Sequence, residues 1–225
     1  MTRATDFNLN AGLVLSIPMF EGTGSSFVAD TSYVHHQIAM THSPGWVQTA
    51  SGLWVLDFDG ASDELSIASS DALNFTSQSF TVALWLYPHV LTGATKVFIE
   101  KGTYGTNGWW VGHDMSFRFI AYLDSGTHYT QIPDDVLVID TWQLMAVTFT
   151  TSICLGYRNA IDMTSRDDGD GNIKTAAGVA AKIGRSSAGT EQYNGLMWNP
   201  RVWNRALSPV EHMQIFNRER ALFGV

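Results

Sequence analysis

The stretch Ser79-Phe80-Thr81-Val82-Ala83-Leu84-Trp85-Leu86-Tyr87-Pro88 decides how this chain is read. Phe80, Val82, Leu84 and Leu86 take one parity; Thr81, Ala83, Trp85 and Tyr87 take the other. Successive side chains on a strand point to opposite faces, so the apolar parity predicts a strand that lays one face on a core. Pro88 lacks the donor a sheet ladder needs and marks the end. The second parity is unusual, because it carries Trp85 and Tyr87 where a solvated face would carry charge. Either this strand is covered on both sides or its second face offers aromatics to a ligand.

Similar short runs flank it on both sides. Gly12 to Phe20 reads as a first strand, followed by the glycine-rich loop Glu21 to Ser26 and an irregular stretch from Phe27 to Trp46. Trp54 to Asp59 alternates into an Asp59-Gly60 turn, and Leu65 and Ile67 make a short strand. Downstream, Lys96 to Lys101 (Val97 and Ile99 on one parity), Trp109 to Gly112 and Phe117 to Leu123 follow one another. A hairpin is expected from Thr141 to Phe149 and Ile153 to Tyr157, then strands at Lys182 to Gly184 and Gly195 to Trp203. Short strands with turn chemistry between them predict a sandwich or barrel. One helix stands apart: Ser208-Pro209-Val210-Glu211 fits a capping box with proline at the first helical position. Val210, Met213 and Phe216 are expected to face a sheet, with Arg218 and Arg220 near the C-terminus of the helix.

Composition narrows the function classes. At 225 residues the chain is expected to form one domain over 1–225 with a core of its own. A formal net charge of -8, with 13 Lys and Arg scattered singly, argues against nucleic acid or an anionic membrane as partner. Met1-Thr2-Arg3 opens no sustained apolar run, so neither a signal peptide nor membrane insertion is expected. The single cysteine, Cys154, lies between Ile153 and Leu155 and reads as a buried, inert thiol.

Five stretches, in order, resemble the laminin-G-like jelly rolls of the concanavalin A-like lectin/glucanase superfamily. They are Gly12-Leu13-Val14 through Asp30, Leu56-Asp57-Phe58-Asp59-Gly60, Ser79 through Trp85 to Pro88, Lys182-Ile183-Gly184-Arg185, and Trp203-Asn204-Arg205-Ala206-Leu207-Ser208. The resemblance implies an all-β, single-domain antiparallel sandwich of two sheets of about six strands, with a short C-terminal helix. It also implies a non-catalytic binding or adhesion role, without giving the ligand.

Relatives of this kind often hold calcium, which needs several converging oxygens. In those with calcium beside the terminal strands an aspartate often follows the motif that here reads Asn194-Gly195-Leu196-Met197; this chain has Trp198 there, leaving Asp30 as the carboxylate for such a site. Asp168, Asp170 and Asn172 show the alternating oxygens of a calcium loop, although Ile173 and Val179 replace the glycine and glutamate of an EF-hand, so a solvated loop is the competing reading. Glycosidases of this superfamily place carboxylates on alternate strand residues, about 5 Å apart in retaining enzymes. Asp57 and Asp59 have that alternation, yet they run into a turn that carboxylates commonly cap. His113-Asp114 has no nucleophile tied to it, and His35 and His36, adjacent on an extended chain, point apart.

Aromatics carry the binding expectation. On Phe117 to Leu123 the resemblance puts Phe117, Phe119 and Ala121 inward, leaving Arg118, Ile120 and Tyr122 on the opposite face. Trp109 and Trp110 are adjacent and cannot both face the core. Tyr104, one of Trp109 and Trp110, Tyr122 and Tyr129, together with Trp85, Tyr87 and Arg118, are therefore expected to line one face or its rim. There a sugar stacks on aromatics, unless the Phe27 to Trp46 segment or a partner chain covers them. The expected function is a surface or assembly module that binds glycan or a neighbouring structural protein, such as a decoration or fibre protein of a phage virion, with homo-oligomers compatible. The virion surface is the favoured location, with a cell surface as the other. The alternative is a polysaccharide-cleaving enzyme of the same superfamily.

Overall fold

The structure, a computed structural model, describes residues 8–93, 95–114, 116–123, 126–132, 137–168 and 171–225. Its strands in chain order are β1 (Leu13–Ser16), β2 (Ile38–Thr41), β3 (Gly45–Gln48), β4 (Trp54–Asp59), β5 (Glu64–Ile67), β6 (Phe80–Pro88), β7 (Lys96–Thr103) and β8 (Asn107–His113). Then come β9 (Phe117–Leu123), β10 (Gly126–Gln131), β11 (Gln143–Phe149), β12 (Cys154–Arg158), β13 (Ile161–Asp162), β14 (Arg166–Asp168), β15 (Ala181–Ile183) and β16 (Asn194–Trp203). Helix α1 (Pro209–Glu219) closes the chain with a 3-10 turn over Arg220–Leu222.

These strands form two antiparallel eight-stranded sheets stacked as a sandwich, larger than the sheets the resemblance implies. The first sheet runs β13-β12-β11-β6-β16-β4-β3, with β1 also pairing β16; the second runs β14-β10-β9-β8-β7-β15-β5-β2. The opening stretch is β6, at the centre of the first sheet between β11 and β16. Its apolar parity fills the space between sheets as expected: Phe80 packs on Trp109, Phe119 and Phe149, with ring centroids 5.0 to 5.7 Å apart. Gly184, in the Lys182-Ile183-Gly184-Arg185 motif, adopts φ +85, and a Cβ there would sit 2.3 Å from the Phe58 ring, so the residue after β15 must be glycine to admit that ring.

The other parity of β6 is covered too, by the C-terminal segment. Thr81 Oγ1 accepts from the Leu207 amide (2.9 Å) and lies 3.0 Å from the Arg205 carbonyl, to which it donates. Ala83 leaves room, and Trp85 stacks against Phe223 (4.3 Å) and Phe216 (6.0 Å). The indole N–H of Trp85 donates to Glu219 (2.7 Å), whose carboxylate also takes a bidentate pair from Arg201 (2.6 and 2.8 Å). The covering layer is thus neither the Phe27 to Trp46 segment nor a partner chain, the two covers expected.

Helix α1 begins with the expected capping box: Ser208 Oγ accepts from the Glu211 amide, and the Glu211 carboxylate accepts from the Ser208 amide. The buried face matches expectation at Phe216 and differs at Val210 and Met213. Val210 and Met213 are 60% and 41% exposed, while His212, Ile215, Phe216 and Glu219 face the sheet. Polar residues turn inward because the sheet supplies partners: Thr148 Oγ1 lies 2.9 Å from His212 Nε2, and Arg201 and Trp85 engage Glu219. Cys154 is fully buried, and burial pushes its thiol well above the ordinary range, so it is inert as expected.

Candidate functional site

Across the outer face of the second sheet runs a transverse row. Lys182 on β15, Glu100 on β7, Trp110 on β8 and Ile120 on β9 stand opposite one another in register. Residues directly opposite in an antiparallel pair share a face. Val97, Trp110 and Ile120 form an apolar cluster separate from the main core, with Tyr104 and Tyr122 packed on it. Gly112 makes this possible: a Cβ there would lie 2.9 Å from the Trp110 ring and 2.1 Å from the Lys96 carbonyl, so its absence lets the indole lie across β8.

Trp110 is the floor of the cluster, 2% exposed, with the Tyr104 ring 5.7 Å away and tilted by 33°. The Tyr122 hydroxyl accepts from the Gly105 amide (2.7 Å) and from the indole N–H of Trp110 (3.1 Å). A phenolic oxygen that accepts two hydrogen bonds still has its own proton to give. Tyr104 and Tyr122 remain half-buried, and Arg118 forms the rim, bonded to Asp114 (3.0 Å) and Ser116 Oγ (3.2 Å). Burial raises both tyrosine hydroxyls above their usual range, keeping them protonated donors.

Beside Trp110 stands the buried Glu100. Its carboxyl accepts from the Ser187 amide (2.5 Å) and hydroxyl (3.3 Å), and that hydroxyl accepts from the Tyr104 amide (2.7 Å). Burial pushes Glu100 up to about 7, the Ser187 hydrogen bonds opposing it. Lys182, its neighbour in the row, is committed to Glu64 (2.8 and 2.9 Å). The result is an apolar floor edged by a phenol, a guanidinium and carboxyls, the mixture that fixes the orientation of a hydroxyl-bearing ligand.

Of the residues expected on one face, the structure brings together Tyr104, Trp110, Tyr122 and Arg118. Tyr129 stands opposite Ile120 in the same row, but its side chain lies outside the described residues. Trp109 faces the core, 5.0 Å from Phe80 and 6.2 Å from Phe75. Trp85 and Tyr87 correct the expectation of a shared face, because β6 and β9 belong to opposite sheets. Trp85 is 0% exposed beneath Phe216 and Phe223, and Tyr87 lies beside Trp142 and His89, 5.5 Å from each. Alternation says which residues share a face of a strand but not which sheet the strand joins.

The acidic candidates are committed locally. Asp30 Oδ1 accepts from the amides of Ser16 (2.9 Å) and Ser32 (2.8 Å), and Oδ2 from Ser32 Oγ and the His36 amide (2.9 Å each). Four donors fill its oxygens, so Asp30 does not fit a calcium ligand but ties the loop after β1 together. The Asp168 side chain and all of Asp170 lie outside the described residues; Asn172 is exposed. Among the described residues no group of three His, Cys, Asp or Glu is placed to hold a metal ion. His36 Nε2 is 3.1 Å from the Val14 carbonyl and His35 Nδ1 is 3.3 Å from that of Asp30, so the adjacent imidazoles serve separate contacts.

Asp59 accepts from the amides of Ala61, Ser62 and Asp63 (2.8 to 3.2 Å). Burial works against its ionisation, yet these bonds outweigh it and hold the carboxyl below its ordinary value. It caps the turn, as the competing reading of the sequence had it. Asp57 is raised by burial, with His89 (3.8 Å) opposing; His89 in turn lies 3.1 Å from Asp140.

Glu100, Ser187 and Gly112 are site residues that alternation missed. A bulge in β7 between Val97 and Ile99 shifts the register, so Val97 joins the outer cluster and Ile99 the main core, although both share a parity. The available signal was a glutamate directly after the apolar run Val97-Phe98-Ile99.

A sequence model of the concanavalin A-like lectin/glucanases superfamily matches residues 59–211. No curated protein matches in sequence. Solved structures share the fold. The binding domain of Paraclostridial Mosquitocidal Protein 1 has a TM-score of 0.72 at 14% identity, covering 92% of this chain and 52% of that one. The ligand binding domain of botulinum neurotoxin serotype D, in complex with N-acetylneuraminic acid, gives 0.72 at 10% over 93% and 52%. The binding domain of botulinum neurotoxin DC, in complex with rat synaptotagmin II, gives 0.70 at 12% over 93% and 52%. This chain therefore spans about half the length of the structures it matches.

Proposed function

We propose that this chain, which belongs to the concanavalin A-like lectin/glucanases superfamily, is a non-catalytic binding module that takes glycan on the outer face of its second sheet. One observation carries the reading: Tyr104 and Tyr122 stand half-buried over Trp110, with the Tyr122 proton and the Arg118–Asp114 pair at the edge. A sugar ring lays its apolar face on such aromatics while its hydroxyls meet the polar edge. That relatives in fold are binding domains, one holding a sugar acid and another a protein, supports a binding role. The commitment of Asp59 to its turn supports the non-catalytic reading over polysaccharide cleavage.

A glycan array, followed by calorimetric titration of the best ligand, tests this. The unsubstituted protein is expected to bind at least one glycan, and Tyr104→Ala with Tyr122→Phe to weaken it by about tenfold, the loss of roughly 1.4 kcal/mol of contact. Absence of any glycan binding, unchanged affinity in the double variant, or release of reducing ends from a polysaccharide would overturn the reading.

A further inference from the structure

A cavity of about 350 Å³ opens where the start of β1 and the turn before it meet the Thr31 to His35 segment, lined by Asn10, Leu13, Thr31, Tyr33 and His35 among others. β1 belongs to the first sheet, so this cavity shares no residue with the Trp110 cluster on the second. Its wall is fixed from behind. The four donors on the buried Asp30 carboxylate tie Ser16, Ser32 and His36 to one point, and the Thr31 amide donates to the Ser16 carbonyl (2.8 Å). Asp30 is thereby spent, and the lining holds no carboxylate, lysine or arginine.

The groups that face the opening are neutral and of mixed hydrogen-bonding character. His35 is exposed and takes φ +54, a left-handed backbone that costs a residue with a Cβ and that recurs at ligand sites. Its Nδ1 lies 3.3 Å from the Asp30 carbonyl. A carbonyl can only accept, so Nδ1 carries the hydrogen and Nε2 is left as an acceptor. Thr31 Oγ1 gives its hydrogen to the Ser16 carbonyl (3.3 Å) and likewise keeps acceptor capacity. Tyr33 is 66% exposed and Asn10 is exposed; among the described residues neither side chain makes a hydrogen bond. The cavity thus offers one open aromatic ring and an aliphatic side chain, Leu13, beside two acceptors and a carboxamide that can both donate and accept.

We propose that this cavity is a separate binding site for one ring of a neutral sugar, its apolar face against Tyr33 and Leu13, its hydroxyls donating to His35 Nε2 and Thr31 Oγ1 and pairing with the Asn10 carboxamide. An aromatic wall with a few placed polar groups is the make-up of such sites, and a neutral lining suits a ligand without charge. The site stands independently of the Trp110 face. Titration monitored by protein NMR tests it, with glucose, galactose and N-acetylglucosamine as probes and sorbitol, which carries hydroxyls but no ring, as the control. At least one of the three sugars is expected to give saturable shifts at Asn10 and Thr31 to His35, with sorbitol at least tenfold weaker. Tyr33→Ala is expected to weaken that sugar by about tenfold, and His35→Asn, whose side chain tolerates the left-handed backbone but is too short to replace Nε2, to weaken it as well. Tyr104→Ala with Tyr122→Phe is expected to leave it unchanged. No saturable shift at these residues with any of the three sugars, sorbitol binding as tightly, or unchanged affinity in both Tyr33→Ala and His35→Asn would overturn the proposal. So would loss of these shifts in the Tyr104 and Tyr122 double variant at an unchanged urea midpoint.

Discussion

Glu100→Gln is expected to tilt a pH profile of stability that is close to level in the unsubstituted protein. Burial raises Glu100 from an ordinary 4.5 to about 7 and lowers His212 from 6.5 to about 4. Between pH of about 5 and about 6, the unfolded chain holds a proton on His212 that the folded protein lacks. The folded protein holds one on Glu100 that the unfolded chain lacks. Proton counts match, so the two contributions to the slope cancel, each being about 1.4 kcal/mol per pH unit. Removing the Glu100 carboxyl leaves His212 alone: the depressed imidazole makes stability rise with pH from about 4 to about 6.5, by about 3 kcal/mol in all. His212→Gln leaves the raised carboxyl alone, so stability falls as pH rises from about 4.5 through about 7, by a similar amount. Glutamine suits position 100, since its oxygen can accept from the Ser187 amide and its nitrogen donate to Ser187 Oγ. Asp57, Asp63, Asp59 and Glu211 also shift, and they bend all three profiles alike. Urea unfolding followed by tryptophan fluorescence at several pH values reads the slopes. Level or parallel profiles in the two variants would refute the reasoning.

Two further outcomes follow from the C-terminal cover. Ser208→Ala removes one half of the capping box and should lower the urea midpoint by the equivalent of about 1 kcal/mol; an unchanged midpoint would mean that the cap does not hold α1. Trp85→Ala should cost about 3 to 5 kcal/mol and speed tryptic cleavage after Arg218 and Arg220, since the ring that Phe216 and Phe223 pack on is gone. Cleavage at the unsubstituted rate would show that the segment is held elsewhere.

Alternation made the central strands legible. Phe117–Leu123 is β9 to the residue, and Trp54–Asp59 is β4, because each has an apolar face toward the core. Polar strands were not legible: Gly126-Thr127-His128-Tyr129-Thr130-Gln131 forms β10 through ladder bonds to β9, which leave no trace in side-chain pattern. Nor were Ile38–Thr41, inside the Phe27 to Trp46 stretch read as irregular, and Gly45–Gln48, which begins in it and runs past it, as both lie at sheet edges. Within the candidate site, the outward parity of Arg118 and Tyr122 held, and one of the adjacent tryptophans turned out. Pairing Trp85 and Tyr87 with them failed because sheet membership is set by non-local contacts. The helix face failed for a related reason: His212 and Glu219 are inward only because Thr148, Arg201 and Trp85 await them.

The cover over β6 also sets when the molecule can be finished. Trp85 meets Glu219 134 residues later, and Leu9 meets Trp203 across 194. Contacts this distant along the chain must pay loop-closure entropy before they return any, which makes folding slow. A ribosome that has made β6 and β11, neighbours in the first sheet, has an aromatic face with nothing to lay on it until Phe216 and Phe223 emerge. Until then Trp85 and Trp142 lack the Phe223 ring that covers them both, and apolar surface left open in this way promotes aggregation of partly folded chains.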